Sequence, residues 1–249
     1  MGVVAEVSPS KKTERPAERP ARSMAVVRPR VRSMSDQVTE TLRSMILVGD
    51  LRSGDQVTQE KLAEDLGVST MPVREALLRL SHEGFVQGGR GRSFRIAPTT
   101  REDIEDIYWV HAALAGELTA RACTRIDDET LAEVARVHDN WLTAVSSGNI
   151  AALERENFEF HRFINLAAGS PKLLMLLRNT LRLIPEHFYS LLPGWMSSST
   201  RGHEEILAAL TAHDADTARK VATEHVLEAG RMLVEYFDEQ GFWTVPHGR

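Results

Sequence analysis

Residues 57–86 read VTQEKLAEDLGVSTMPVREALLRLSHEGFV, and they carry the clearest structural pattern in the first part of the chain. Thr58 is a good helix N-cap, apolar residues recur after it at helical spacing, and Gly67 ends the predicted helix. Ser69 can cap a further helix, in whose first turn Pro72 is tolerated. Helix, Gly-Val turn and helix is the layout of a helix-turn-helix.

The flanking sequence completes a predicted winged domain over residues 34–98. Upstream, Val38, Leu42 and Ile46 follow helical spacing and predict a helix from Ser35 to Val48. Downstream, two short alternating stretches flank a tip of glycine and arginine at 88–92, which predicts a β-hairpin wing. Beyond Pro98 only helical patterns follow, so the fold class is mainly α, with an all-helical domain over residues 99–240. Its helices are predicted near 101–123, 128–146, 150–168, 171–191, 199–212 and 214–238.

The composition is that of a globular protein, and the length suits two compact domains or one large one. The chain has 249 residues, of which 42% are hydrophobic. Its one cysteine, Cys123, cannot form an internal disulfide, and no apolar run approaches the roughly 20 residues of a membrane helix. We therefore expect a cytoplasmic protein. Residues 1–33 are rich in proline and arginine and are predicted to be a disordered basic tail, and residues 241–249 a C-terminal tail.

The net charge of −5 is unevenly distributed. Residues 1–33 hold eight basic and three acidic side chains, whereas residues 99–249 hold 14 basic and 23 acidic ones. DNA affinity depends on local contacts with phosphates rather than on total charge. The acidic second domain therefore does not argue against DNA binding by the first.

A DNA-reading helix must leave its N-terminal side chains free while its other face packs on the preceding helix. The stretch from Ser69 to Leu80 has this pattern. Arg74, one helical turn after Thr70, can reach a phosphate or take a guanine bidentately, and arginines on a glycine hairpin can reach the minor groove. The candidate DNA-binding residues are Ser69, Thr70, Met71, Arg74, Arg90 and Arg92.

Three histidines and an asparagine are spaced so that they can converge. Asn157 and His161 are four apart on one predicted helix and share its face. His203 and His225 lie equally far on either side of a predicted loop near His213, so an antiparallel helix pair would set both at one level. Three imidazoles on facing helices can hold a metal and leave positions open for a ligand. The alternative is that each histidine is simply packed in the core or solvated.

Two groups of motifs carry a resemblance to a known family. Residues 57–86 closely resemble the winged helix-turn-helix of GntR-family regulators. Four later segments look like the FCD effector domain of the FadR-type branch, so the resemblance covers about residues 34–238. These segments are NFEFH at 157–161, AGSPKL at 168–173, HEEILAAL at 203–210 and ARKVATEHV at 218–226.

The resemblance implies a metal site, a partner and an assembly. In many FCD domains an aspartate or asparagine and three histidines hold a divalent ion, here Asn157, His161, His203 and His225. Imidazole with amide oxygen suits zinc first, with nickel or iron as alternatives, and magnesium poorly. The resemblance also implies a homodimer that binds a pseudo-palindromic double-stranded DNA operator. We expect a repressor that a small carboxylate, such as an organic acid, controls at the metal site.

The chain departs from the family pattern at three places. Thr70 and Met71 stand where arginine and threonine are common, so the operator sequence cannot be carried over. Asn157 is a neutral donor where relatives often have aspartate, which predicts weaker metal binding. His111 stands where relatives usually have an arginine that anchors an organic acid. If His111 faces the cavity, the effector is less anionic than a dicarboxylate or Arg182 supplies the charge; otherwise His111 is a hydrogen-bonded core residue.

Two other functions remain to be weighed against this one. The same regulator can carry a purely structural metal. An open three-histidine site can also activate water in a metal-dependent hydrolase or isomerase, but no general-base motif such as His-Glu-x-x-His accompanies the ligands, so we do not expect an enzyme. Trp109 and Trp141 are interpreted as packing or dimer contacts. The remaining histidines are interpreted as structural or surface residues, namely His82, His138, His187, His213 and His247.

Overall fold

The computed structural model describes residues 33–89, 93–184, 189 and 192–243. These residues form nine α-helices and three short β-strands, so the predicted mainly α fold is confirmed. In chain order the elements are α1 (Met34–Leu47), β1 (Gln56–Thr58), α2 (Gln59–Leu66), α3 (Thr70–His82), β2 (Val86–Gly88), β3 (Ser93–Ile96), α4 (Arg101–Cys123), α5 (Asp128–Ser147), α6 (Ile150–Ala167), α7 (Pro171–Leu181), α8 (Trp195–Thr211) and α9 (Ala215–Glu239).

Helices α1, α2 and α3 pack around a small apolar core in the first domain. Leu42, Leu77 and Leu80 are almost completely buried there. The sheet has the order β1-β3-β2 with antiparallel pairing, and Val57 faces Phe94 across β1 and β3. The wing therefore has a third strand that the sequence interpretation of a two-stranded hairpin omitted. Three residues are too few to show an alternating pattern, and β1 exists because β3 offers it a partner.

Helices α4 to α9 form the second domain, in which α4 and α9 lie against each other along much of their length. Two glycines permit this close approach. A Cβ on Gly116 would collide with Thr223, and a Cβ on Gly230 would lie 2.6 Å from Cγ of Tyr108. Small residues at a helix contact let the two backbones come together, so the position of α9 depends on both glycines.

The predicted helix over residues 171–191 is wrong in its length. Helix α7 ends at Leu181, and residues 182–184 form turns. Pro185 explains the error, because proline lacks an N–H and disfavours helical backbone in the residue before it. Helix α8 begins at Trp195, four residues earlier than predicted, after Gly194 in the left-handed region with φ 78°.

The two ends of the described chain can be compared with the predicted N-terminal and C-terminal tails. Ser33 caps α1, and residues 1–32 and 244–249 lie outside the described residues. After α9, Phe242 stacks on Phe237 with a centroid distance of 4.3 Å, so the start of the predicted C-terminal tail packs on α9. In the described part of the chain no helix is both long enough and apolar enough to cross a membrane.

Candidate functional site

Helix α3 presents the face that a DNA reader requires. Val73, Ala76, Leu77 and Leu80 are buried on its inner side. The four predicted contact residues on this helix and at its cap are all exposed, namely Ser69, Thr70, Met71 and Arg74. Ser69 caps the helix by position but its hydroxyl makes no capping hydrogen bond, and no acidic residue occupies the first turn. The N-terminus of α3 therefore offers donors and the positive end of the helix dipole to a phosphate.

The other arginines considered in the first domain differ from Arg74 in what the structure shows of them. Arg90 and Arg92, predicted to contact DNA from the wing tip, lie outside the described residues. Arg79 is half-exposed and its guanidinium pairs with Asp36 of α1, which holds the pKa of that carboxyl well below its usual range. This ion pair connects α3 to the start of α1. Arg79 therefore has its partner within the domain itself.

His161, His203 and His225 meet in the interior of the second domain. One ligand nitrogen from each lies within 4.8 Å of the other two, and Nε2 of His225 is 3.4 Å from Nε2 of His161. His203 is fully buried, and neither of its ring nitrogens has a hydrogen-bond partner. His161 and His225 are partly exposed. The structure thus brings together the three histidines that the sequence spacing predicted to converge.

Three helices supply this cluster. His161 lies on α6, one turn after Asn157, which is also partly exposed. His203 and His225 lie on α8 and α9, which form an antiparallel pair through a short turn at 212–214. Gly202 leaves room for the imidazole of His225, because a Cβ at that position would collide with Nδ1 of His225. The sequence spacing predicted that His203 and His225 lie opposite each other on the two helices. The role of Gly202 became visible only from the packing.

The imidazoles of the cluster are neutral at ordinary pH. Desolvation lowers the pKa of His225 to about 4 and that of His161 and His203 well below the usual value of 6.5. The mutual proximity of the three rings adds to this effect for His161 and His203. A metal binds the neutral form of imidazole, so the cluster requires no deprotonation to accept an ion near pH 7.

His111 of α4 points inward. It is 8% exposed, and its Nδ1 lies 2.8 Å from Oγ1 of Thr180. That hydroxyl donates its only proton to the carbonyl of Leu177, so Nδ1 of His111 carries the hydrogen and Nε2 keeps a free lone pair. Burial, with a smaller effect of His225, lowers the pKa of His111 to about 4. Arg182, by contrast, is exposed just beyond α7.

The structure also shows the surroundings of the two tryptophans and of several histidines outside the cluster. Trp141 is fully buried and donates from Nε1 to Thr200, so it is a core residue. Trp109 is 66% exposed. His82 is exposed, and Nδ1 of His213 lies 3.0 Å from the carbonyl oxygen of Cys123. His187 and His247 lie outside the described residues.

His138 was interpreted as a structural or surface residue, and the structure places it in the core beside His203. It is 5% exposed on α5, and its ring centroid lies 6.0 Å from that of His203. The available signal was its spacing, because His138 shares an inward stripe with Val134, Val137 and Trp141. Sequence alone could not say that this stripe faces His203, since the two residues are far apart in the chain.

The fold and the exposed third helix define a winged helix-turn-helix protein with a helical second domain, and comparisons with known proteins agree. Residues 34–96 match the bacterial regulatory proteins of the gntR family, and residues 106–228 match the FCD domain. An HTH-type transcriptional regulator of Mycobacterium tuberculosis is 30% identical over 206 residues, which cover 81% of this chain and 82% of the relative. McbR of Escherichia coli is 25% identical over 210 residues, covering 83% of this chain and 95% of McbR.

Solved structures share the fold. The structure of E. coli McbR/YncC matches with a TM-score of 0.63 and 23% identity, covering 82% of this chain and 99% of that one. Lar, which controls the expression of the Listeria monocytogenes agr system, matches with a TM-score of 0.57 and 14% identity, covering 83% and 99%. This chain belongs to the GntR family and carries an FCD domain, and it is a DNA-binding transcription regulator of that type.

Proposed function

We propose that this regulator is a homodimeric repressor whose hold on its operator is controlled by a small carboxylate bound at a divalent metal in the helical domain. Asn157, His161, His203 and His225 would hold the metal. The observation that carries the proposal is the convergence of three neutral imidazoles, one of them fully buried with no hydrogen-bond partner for either nitrogen. A buried polar group without a partner costs about 1–3 kcal/mol, and a metal bond is one way to satisfy it.

The nitrogens of His161 and His225 have the separation that a shared ion would require. Two nitrogens bound to one tetrahedral zinc at about 2.0–2.1 Å lie roughly 3.3 Å apart, and the Nε2 atoms of His161 and His225 are 3.4 Å apart. The donor set is three imidazoles with one neutral oxygen available from Asn157. This set favours zinc, with nickel or iron as alternatives. When bound, the ion would supply open positions for the oxygen atoms of a carboxylate.

Residues near the cluster bear on the choice of effector. His111 is buried, and its pKa is lowered to about 4, mainly by that burial and in smaller part by His225. A neutral histidine with a free lone pair on Nε2 stands where an anion-binding arginine is common in the family. This favours an effector of low negative charge, such as a small monocarboxylate, that takes its main charge interaction from the ion. Arg182 is a second candidate for contact with the effector.

Solvent-exposed apolar side chains on two neighbouring helices support dimerisation. Trp109 and Val110 of α4 are 66% and 40% exposed, and Met175 and Leu176 of the neighbouring α7 are 48% and 46% exposed. Exposed apolar residues on adjacent helices are typical of a protein interface. Two copies related by a two-fold axis would then present two α3 helices to the half-sites of a pseudo-palindromic operator.

The proposal is tested by metal binding and DNA binding on one preparation. Calorimetry of the metal-free protein with zinc, nickel and ferrous ions is expected to show one site per chain, and binding should fall sharply in His225→Ala. Gel shifts on DNA upstream of the gene are expected to show a specific complex that small carboxylates release only when metal is present. His82→Ala, at an exposed position away from the cluster, is the matched control.

The outcomes separate the alternatives. If chelation lowers the melting temperature but leaves the response to carboxylates unchanged, the metal is structural. If no metal binds to the wild-type protein, the sensor proposal fails while the DNA-binding assignment stands. A reporter gene under the same upstream DNA distinguishes repression from activation, because loss of a repressor raises expression.

A further inference from the structure

His203 would keep one ring nitrogen without a hydrogen-bond partner even if a metal bound the other nitrogen. Its ring stacks on Phe160 with a centroid distance of 4.1 Å and an interplanar angle of 21°, and the ring of Trp141 lies 5.1 Å away. Both ring nitrogens are buried and unpartnered. A metal would take only one of them. The other would carry a hydrogen and would still need an acceptor, as metal-bound histidines almost always have.

The neighbours of His203 narrow the choice of acceptor. Phe160 has no acceptor atom, and the indole of Trp141 is only a donor, already bonded to Thr200. The rings of His161 and His225, each 5.2–5.3 Å from that of His203, belong to the metal cluster itself. Among the aromatic neighbours that the structure describes, this leaves His138.

His138 has a complementary deficiency. Its Nδ1 is also buried and unpartnered, and its ring meets that of His203 at 6.0 Å with an interplanar angle of 75°. With the ring centroids 6.0 Å apart, the two nitrogens are at least about 3.7 Å apart, which is too far for a direct hydrogen bond. A single ordered water can bridge two such groups, because it accepts from one nitrogen and donates to the other.

We propose that His138 is a positioning residue of the metal site: one buried water accepts a hydrogen bond from the metal-free nitrogen of His203 and donates one to Nδ1 of His138. This bridge fixes which nitrogen of His203 faces the ion and holds the ring at its angle. This inference rests on the proposed metal site. It adds α5 to a site otherwise built from α6, α8 and α9.

Two pairs of variants test the bond. His138→Phe keeps a ring of similar size but removes the acceptor, whereas His138→Asn can place an amide oxygen near the position of Nδ1. His138→Gln, similar in polarity to the asparagine variant, places its oxygen nearer to Nε2. His82→Phe is the control for exchanging a histidine away from the cluster. Zinc affinity is measured by competition with a chelator, and the geometry by the visible absorption of bound Co²⁺.

We expect His138→Phe to weaken zinc binding about 10- to 100-fold, the usual effect of removing a partner that orients a ligand, and to alter the Co²⁺ spectrum. His138→Asn should restore both most of the affinity and the wild-type spectrum, and His138→Gln should not. A purely structural role for His138 would change the melting temperature without changing the Co²⁺ spectrum.

Wild-type zinc affinity and an unchanged Co²⁺ spectrum in His138→Phe would overturn this inference and leave the metal site standing. Equal behaviour of the asparagine and glutamine variants would also overturn it, and this comparison applies even if the phenylalanine variant fails to fold. If the wild-type protein binds neither zinc nor Co²⁺, the proposed metal site itself has failed, and the inference fails with it.

Discussion

We expect Arg74 of α3 to contact DNA. It is exposed on the first turns of the helix, to one side of the face that buries Val73, Ala76 and Leu77. We expect Arg74→Ala to weaken binding to the operator by about 1–3 kcal/mol, the range for losing one arginine contact. Fluorescence anisotropy with labelled upstream DNA measures the effect. Arg136→Ala, an exposed position on α5, should bind as the wild type does, and an equal loss in both variants would contradict the assignment.

The buried histidines also predict how stability depends on pH. Burial lowers the pKa of His111 and of His225 to about 4, whereas the unfolded imidazole titrates near 6.5. The unfolded chain therefore takes up protons first, and the metal-free protein loses stability as the pH falls from 6.5 towards 4. At pH 5 each such histidine costs on the order of 2 kcal/mol.

Urea unfolding of the metal-free protein at pH 7.5 and pH 5 measures this loss. His225→Gln removes one of the titrating groups, so its stability should change less between the two pH values than that of the wild type. The same change in both proteins would show that His225 is not held neutral by the fold.

At the scale of the elements, the contact between α8 and α9 determines the position of His225. Gly202 of α8 faces the imidazole of His225, and any Cβ there would displace the ring. We expect Gly202→Ala to weaken zinc binding about 10- to 100-fold, while the higher helix propensity of alanine offsets part of the loss in stability. Ser197→Ala, at an exposed position of the same helix, is the control. Unchanged zinc affinity in Gly202→Ala would mean that the ring has another place to go.

Helices α1 and α3 are joined by a buried cation. The side chain of Arg43 on α1 is 5% exposed, and its Nη2 donates to Oε2 of Glu83, the C-cap residue of α3, at 2.7 Å. We expect Arg43→Met to cost about 1–3 kcal/mol, because Glu83 would keep its charge and lose its partner. Thermal unfolding measures the change.

Lys61→Met is the matched control for that substitution. It breaks the ion pair of Lys61 with Asp65 on α2, in which both groups are well exposed. Water screens such a pair, so little change is expected. A similar melting temperature for both variants would show that burial does not distinguish the two ion pairs.

At the scale of the whole molecule, the end of α9 links the two domains. Phe242 stacks on Phe237, and both line a cavity of about 570 Å³ together with residues of the first domain such as Ile46 and Ile96. Asp238, which follows Phe237 in the chain, forms an ion pair with Arg101 at 3.0 Å. The start of the α4 helix and the end of the α9 helix are therefore in contact beside the DNA-binding domain.

We expect Phe242→Ala to lower the stability of the DNA-binding domain by about 1–3 kcal/mol, the range for exposing an apolar side chain, and to leave zinc affinity unchanged. Hydrogen exchange at the end of α1 should become faster, and calorimetry should detect the lower transition. Wild-type exchange at α1 would show that the C-terminal aromatic residues do not support the first domain.

Sequence patterns were enough to predict the winged helix-turn-helix, the helical character of the second domain and the opposed positions of His203 and His225. Helical periodicity, caps and loop position are local properties, so they can be recognised along the chain. Three features became visible only from packing: the third strand of the wing, the space that Gly202 leaves for His225, and the place of His138 beside His203. These features join residues distant in sequence through packing, and no local pattern records which faces will meet.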